Sequence, residues 1–213
     1  MSEMHVRLYR PEDAEAIRRI SCETALYGQP MDVLFQGRPL ISEALIGYYA
    51  DFEPEALFVA ESEGRAVGYL TGCLDTRRFE SFFVRHIFPR LLWICLKEGY
   101  WLKPSFWWLV GAGGKAAGRW SRVRDRVLIR YPAHCHLNLD AGFRHAGTGS
   151  ALLKAFFDYM AAHGVRGIHI LSATGGGKAF FAKSNFIRLA KYPAPRLPGA
   201  NRCETWVMGK ELQ

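Results

Sequence analysis

The run Leu137-Asn138-Leu139-Asp140-Ala141-Gly142-Phe143-Arg144-His145-Ala146-Gly147-Thr148-Gly149-Ser150 reads as a strand, a turn and the start of a helix. Its centre, Arg144-x-x-Gly147-x-Gly149, suits an anion. Glycines let the backbone approach a phosphate closely, and a turn can aim several N–H groups at one ligand. A helix N-terminus adds unpaired donors and the positive end of its dipole. Two better-known phosphate loops fail on residue type. A Walker loop needs lysine where Thr148 stands, and the dinucleotide fingerprint needs a third glycine where Leu152 stands. By itself the pattern is equally a turn that caps a helix.

The surrounding elements narrow the choice. Val6–Tyr9 reads as a strand, and Pro11-Glu12-Asp13 opens a helix through about Leu26. A second helix is expected near Ile41–Asp51, then a hairpin of Leu57–Glu61 and Ala66–Leu74. His134–Asp140 alternates like a strand, and Gly147–His163 carries one apolar face. Val165–Ser172 is a buried strand, Lys178–Ser184 a short helix, and Ile187–Tyr192 and Glu204–Gly209 are closing strands. The order β-α-α-β-β-(insert)-β-α-β-α-β-β implies a mixed α/β (α+β) sheet with helices on its faces.

In this order, the Arg144–Ser150 turn and Lys183-Ser184-Asn185-Phe186 resemble the GNAT superfamily of acetyltransferases. The ending Trp206-Val207-Met208-Gly209-Lys210-Glu211-Leu212 looks like that family's last strand. The resemblance covers roughly residues 3–75 and 132–212 and implies one domain over 1–213 with an insert at 76–133. It also implies a mostly antiparallel twisted sheet and acetyl-CoA as co-substrate. Leu137, Asn138 and Leu139 would hold the pantetheine arm, and Arg144, His145, Ala146, Gly147, Thr148, Gly149 and Ser150 the pyrophosphate. Phe52-Glu53-Pro54-Glu55 and Tyr131-Pro132-Ala133-His134-Cys135-His136-Leu137 are similar to uncharacterised bacterial members and to the acetyltransferase-like domain of some O-GlcNAcases. The implied reaction is direct transfer of an acetyl group to a small-molecule or peptide amine. A non-catalytic CoA-binding module and a membrane-surface acyltransferase acting on a hydrophobic acceptor stay open beside it.

The chain departs from that family at three places, one of them Asn185 in place of the usual glycine, where asparagine tolerates left-handed backbone. Phe181 stands where many members carry a tyrosine that protonates the leaving thiolate, and phenylalanine has no proton to give. Ala133 stands where some carry a glutamate base. His134 and His136 share one strand face by alternation and are the candidates for a base or a water relay, with a structural role as the alternative. His134-Cys135-His136 offers only two metal ligands on one face and no third at a supporting spacing, so no metal is expected.

Composition limits the rest. With 213 residues, 49% hydrophobic and 23% charged, the chain is an ordinary globular one. Five scattered cysteines without a C-x-x-C pair suit a reducing compartment, and the N-terminus lacks an apolar signal region, so the cytoplasm is the expected location. The net charge of +8 is uneven: −7 over residues 1–75, +9 over 76–133 and +6 over 134–213. The insert holds five of the six tryptophans. Phe79–Leu96 is expected as a helix broken or kinked at Pro89, with breaks at Pro104 and Gly111–Gly114. No uncharged stretch approaches the ~20 residues of a membrane span. A lid or packed helical subdomain leads for this segment, followed by a homodimer surface and membrane-surface contact. Nucleic acid has no supporting motif.

Overall fold

A computed structural model describes residues 4–144, 147–195 and 203–212. Seven strands form one sheet: β1 (Met4–Leu8), β2 (Leu57–Ser62), β3 (Arg65–Cys73), β4 (Ala133–Leu139), β5 (Gly167–Ser172), β6 (Ile187–Pro193) and β7 (Glu204–Glu211). Their spatial order is β1-β2-β3-β4-β5-β7-β6. Every neighbouring pair is antiparallel except β4–β5. The mixed, mostly antiparallel sheet expected from the sequence is therefore present.

Helices cover both faces. On one side, α6 (Thr148–Ala162) inserts Leu152, Leu153, Phe156 and Met160 against Ala133, Cys135, Ile168 and Ile170. These α6 residues recur at three- and four-residue spacing, so one stripe of the helix meets one face of the sheet. On the other side, α1 (Ala14–Thr24) and α2 (Arg38–Phe52) bury Ile17, Ile20 and Ile46 against Leu57, Val59 and Tyr69. The alternation along β2 and β3 thus serves two cores at once.

The insert is helical: α3 (Thr76–Phe82), a π-helical turn (Phe83–Ile87), α4 (Phe88–Lys97) and α5 (Pro104–Arg130). Asp75 caps α3 by accepting from the Arg78 N–H. Pro89 follows the π-helical turn directly, with Ile87 and Phe88 already in helical conformation. At the expected break or kink the helical path continues, and the irregularity is the π turn just before the proline. The expected breaks in the later segment also differ. Pro104 starts α5, and Gly111, Gly113 and Gly114 lie inside its continuous 27 residues. Each such glycine weakens a helix by about 1 kcal/mol against alanine, but both ends of α5 are anchored. Phe106 and Leu109 pack on the cluster of Phe35 and Tyr100, while Trp120, Val123 and Val127 pack with Tyr131 and Val207. Tertiary packing outweighs local propensity here.

Close approach fixes where α5 hands over to the sheet. A Cβ at Gly167 would lie 2.0 Å from the Arg130 carbonyl oxygen and 3.1 Å from the Tyr131 ring. The first obstacle is backbone and cannot rotate away. Gly167→Ala is expected to destabilise the protein by roughly 1–3 kcal/mol, the range for overpacking, as a lower urea midpoint in equilibrium unfolding.

Candidate active site

The parallel strands β4 and β5 are paired only at Ala133↔Ile168 and His134↔His169. Beyond those pairs they part, while β3 continues along β4 as far as Leu139 and β7 along β5 as far as Ser172. A cavity of about 760 Å³ occupies the gap. His136–Leu139 of β4, Ile170–Ser172 of β5 and the first turn of α6 line it. Phe180 and Phe181 of α7 (Gly175–Lys183), and Thr24, Ala25, Tyr27 and Gly28 after α1, complete the wall.

The β4 edge facing this gap has free backbone groups. Asp140 N–H donates to Val67 at 2.9 Å, so at that position the backbone turns toward β3. Alternation then turns the peptide groups of Leu137 and Leu139 toward the gap. The Leu139 carbonyl there meets Arg144 Nε at 3.4 Å. Asn138 takes the opposite phase, and its Nδ2 donates to the Tyr69 hydroxyl at 2.8 Å.

The turn into α6 sits at the end of β4. Gly147 is the N-cap residue with φ +82°, a left-handed conformation that strains any other residue type. Its carbonyl accepts from Ser150 and Ala151, which leaves the earlier N–H groups of the helix without intrahelical partners. Gly149 has a different reason to be glycine: a Cβ there would lie 3.0 Å from Phe180 Cζ, so the small residue lets α7 pack on α6. Arg144 is the only Lys, Arg, Asp or Glu among the described residues lining the cavity. Arg19 holds the turn's other flank, donating to both carboxylate oxygens of Asp140 at 3.1 and 2.9 Å.

The structure therefore brings together Leu137, Asn138, Leu139, Arg144, Gly147, Gly149 and Ser150 around one cavity. Thr148 is buried in the first turn of α6 and does not line it. His145 and Ala146 lie outside the described residues. Phe181 lines the wall with a buried ring.

The two histidines share a strand face but have different surroundings. His136 is exposed and lines the cavity, while the rest of its ring is enclosed by protein, which lowers its pKa from the ordinary imidazole value. It is a neutral imidazole at pH 7. His134 is buried and does not line the cavity. Both of its nitrogens are occupied. Thr76 Oγ1 donates its one proton to the Pro132 carbonyl at 2.7 Å, so it accepts from His134 Nδ1 at 2.8 Å. Nε2 is then the acceptor for the Tyr49 hydroxyl at 2.7 Å. The chain Tyr49–His134–Thr76–Pro132 ties α2, β4 and α3 together, and it leaves His134 no nitrogen to offer a substrate. His169 Nδ1 donates to the Tyr131 carbonyl at 2.8 Å, under a stacked Trp120.

Sequence reasoning did not single out Tyr49, Tyr69, Thr76 or Tyr27. Tyr27 has φ +52°, and its hydroxyl donates to the Pro195 carbonyl at 2.9 Å, which closes one side of the cavity. A non-glycine residue forced into that conformation is visible only in the fold.

The buried titratable groups give stability a pH dependence. Burial depresses the pKa of His134 well below its usual value and that of His169 to about 4. Between those values and about 6.5 the unfolded chain binds more protons, so stability falls as pH falls. Burial raises Glu53, whose Oε2 has no partner, to about 7. There the folded state holds the extra proton, which gives the opposite slope between about 4.5 and 7. His136 is depressed in the same way, so three histidines against one carboxyl leave a net excess of about two protons on the unfolded chain, at most about 2.7 kcal/mol per pH unit. Urea midpoints are expected to drop steadily from pH 6.5 to 4.5; a flat or rising profile contradicts this balance.

Neither a protein-family model nor a curated protein matches the chain. Solved structures do. The crystal structure of SsHAT superposes with a TM-score of 0.72 at 23% identity, covering 99% of each chain. An N-acetyltransferase from Staphylococcus aureus Mu50 gives 0.61 at 15% identity, covering 100% of each chain. A GNAT superfamily phosphinothricin acetyltransferase (Pat) from Sinorhizobium meliloti in complex with AcCoA gives 0.60 at 17% identity, covering 100% of this chain and 89% of that one. With strands that part around a cavity and a glycine turn at the cavity's mouth, the chain has the fold of the GNAT superfamily of N-acetyltransferases.

Proposed function

We propose that the protein is an acetyl-CoA-dependent N-acetyltransferase, one domain with residues 76–133 as an insert. The observation that carries this reading is the gap between β4 and β5. It offers the peptide group of Leu137 and the N–H of Leu139 to an amide-containing arm, the Leu139 carbonyl already accepting from Arg144. The first turn of α6 and Arg144 offer donors and positive charge to a pyrophosphate. The side chains present fit such a ligand: an elongated thioester with one anionic end meets one charged residue, placed at one end of the cavity.

In the proposed reaction an amine nitrogen attacks the thioester carbonyl within a ternary complex, forming the N–C bond. The C–S bond then breaks and CoA leaves as thiolate. A backbone N–H of the β4 edge near Leu139 stabilises the oxyanion. His136, neutral and open to the cavity, takes the ammonium proton directly or through one water. It returns that proton to solvent. Phe181 gives the thiolate no proton, so solvent water supplies it. His134 acts as a positioning residue through Tyr49 and Thr76.

The acceptor is an amine of a small molecule or peptide. Phe181 at the thiol end favours one second reading, a CoA-binding module without turnover. That reading shares the binding site and differs only in thiol release across an amine panel.

Calorimetric titration with acetyl-CoA is expected to show binding in the wild type and none in Gly147→Trp, with both proteins giving the same far-UV circular dichroism. Absence of binding in the wild type removes the cofactor reading. Once an acceptor is found, His136→Gln is expected to lower kcat by about 100-fold or more, in the range of general-base loss, with the acetyl-CoA KM nearly unchanged. An unaltered kcat assigns the proton to another group.

A further inference from the structure

We infer that the outer face of the insert docks on a lipid bilayer carrying anionic headgroups. The proposal is independent of the cofactor reading and rests on an apolar surface that the chain's own fold leaves uncovered.

Helix α4 has two apolar faces. Ile87, Leu91, Ile94 and Cys95 turn inward onto α2 and the cluster of Phe35 and Tyr100. Phe88, Leu92, Trp93 and Leu96 turn outward, with exposures of 50%, 50%, 61% and 67%. A helix apolar on all sides belongs in a core or against lipid, and here only one side is in a core. The surface continues through the next turn and α5, where Trp101, Leu102 and Trp107 are 47%, 67% and 59% exposed. Trp107 Nε1 donates to the Trp101 carbonyl at 2.8 Å, which joins the two segments. Other exposed apolar side chains, such as Val33 and Ile187, are scattered singly and need no partner.

Charge selects the occupant. Residues 83–119 carry six Lys or Arg against one Glu. Lys97 Nζ lies 4.9 Å from the Trp93 ring centroid and Lys103 Nζ 5.3 Å from that of Tyr100, so cations border the aromatic surface. Among the described residues neither lysine has a carboxylate partner. A two-fold contact between copies would set this basic border against itself. An anionic headgroup layer meets it with opposite charge, and tryptophan is the side chain enriched at that depth of a bilayer. Contact is at the surface: no helix of the described residues is long and apolar enough to cross a membrane.

The test is flotation with vesicles of phosphatidylcholine alone and of phosphatidylcholine with phosphatidylglycerol, followed by intrinsic tryptophan fluorescence. At least about tenfold tighter binding to the anionic vesicles is expected, the effect of two or more cations near such a surface. A blue shift of emission should accompany it. The combined exposed-residue variant Trp93→Ala, Trp101→Ala, Trp107→Ala should lose binding while keeping the wild-type thermal midpoint. Should that variant misfold, Lys97→Glu with Lys103→Glu is expected to reduce binding to the level on neutral vesicles. Equal binding to both vesicle types, or to neither, overturns the proposal. So does a concentration-dependent dimer in sedimentation velocity that the tryptophan variant dissociates, because a second copy then covers the face.

Discussion

Two residue pairs hold β4 to β5, and the strands then separate. In a continuous sheet the peptide groups beyond that point would be consumed by a neighbouring strand. Here they are left on the wall of a cavity, where Arg144 reaches the Leu139 carbonyl and the others are open to a ligand or water. The separation is stable because each strand keeps a full ladder on its other side, β4 with β3 and β5 with β7. Leu139, Phe180 and the first turn of α6 pack together on the cavity wall, and Gly149 permits that packing by lacking a Cβ. The Arg19–Asp140 pair then fixes the end of β4 against α1, so the opening is a built feature and not a frayed edge.

The same separation decides what the histidines can do. At the paired end, His134 is roofed by α2 and α3, with Tyr49 and Thr76 as its partners. Two residues later the roof has ended, and His136 faces the cavity. Their rings are 5.5 Å apart, and an imidazolium at either site would meet the other in a poorly solvated interior. Burial and this proximity hold His134 neutral, and desolvation lowers His136, although it is open to the cavity, to about 4. One of them therefore presents an unprotonated, weakly basic nitrogen to a group in the cavity. The other fixes the strand on which the first is carried.

Much of this arrangement is legible in the residues themselves. Period-two alternation places His134 and His136 on one face, and the Gly147 turn falls at the observed helix start. Asn185 adopts φ +64°, as its tolerance of the left-handed region allows. What alternation cannot convey is depth. His134 and His136 look equivalent in the chain and are separated by contacts with residues 58 and 85 positions away. Tyr49 carries no local signal, because it lies in an apolar helix where tyrosine reads as core. The three glycines at 175–177 look like a flexible turn but form the first turn of α7, since Thr174 accepts from the Gly177 N–H and supplies the cap. The α5 glycines mislead in the same direction, because local propensity is outvoted by anchors at each end.

Helix α5 is consequently a strut. Its first turns rest on Phe35 and its last ones on Tyr131 and Val207, while a Cβ at Gly111, Gly113, Gly114 or Gly118 would meet nothing within 4 Å. The middle therefore depends on its own main-chain bonds, in the stretch where propensity is weakest. Arg119 Nη1 donates to the Pro193 carbonyl at 2.8 Å, and Tyr27 reaches the Pro195 carbonyl two residues on. The strut and the segment after α1 thus converge on the end of β6 beside the cavity. The elements carrying the exposed tryptophans are in this way continuous with those that border the cavity.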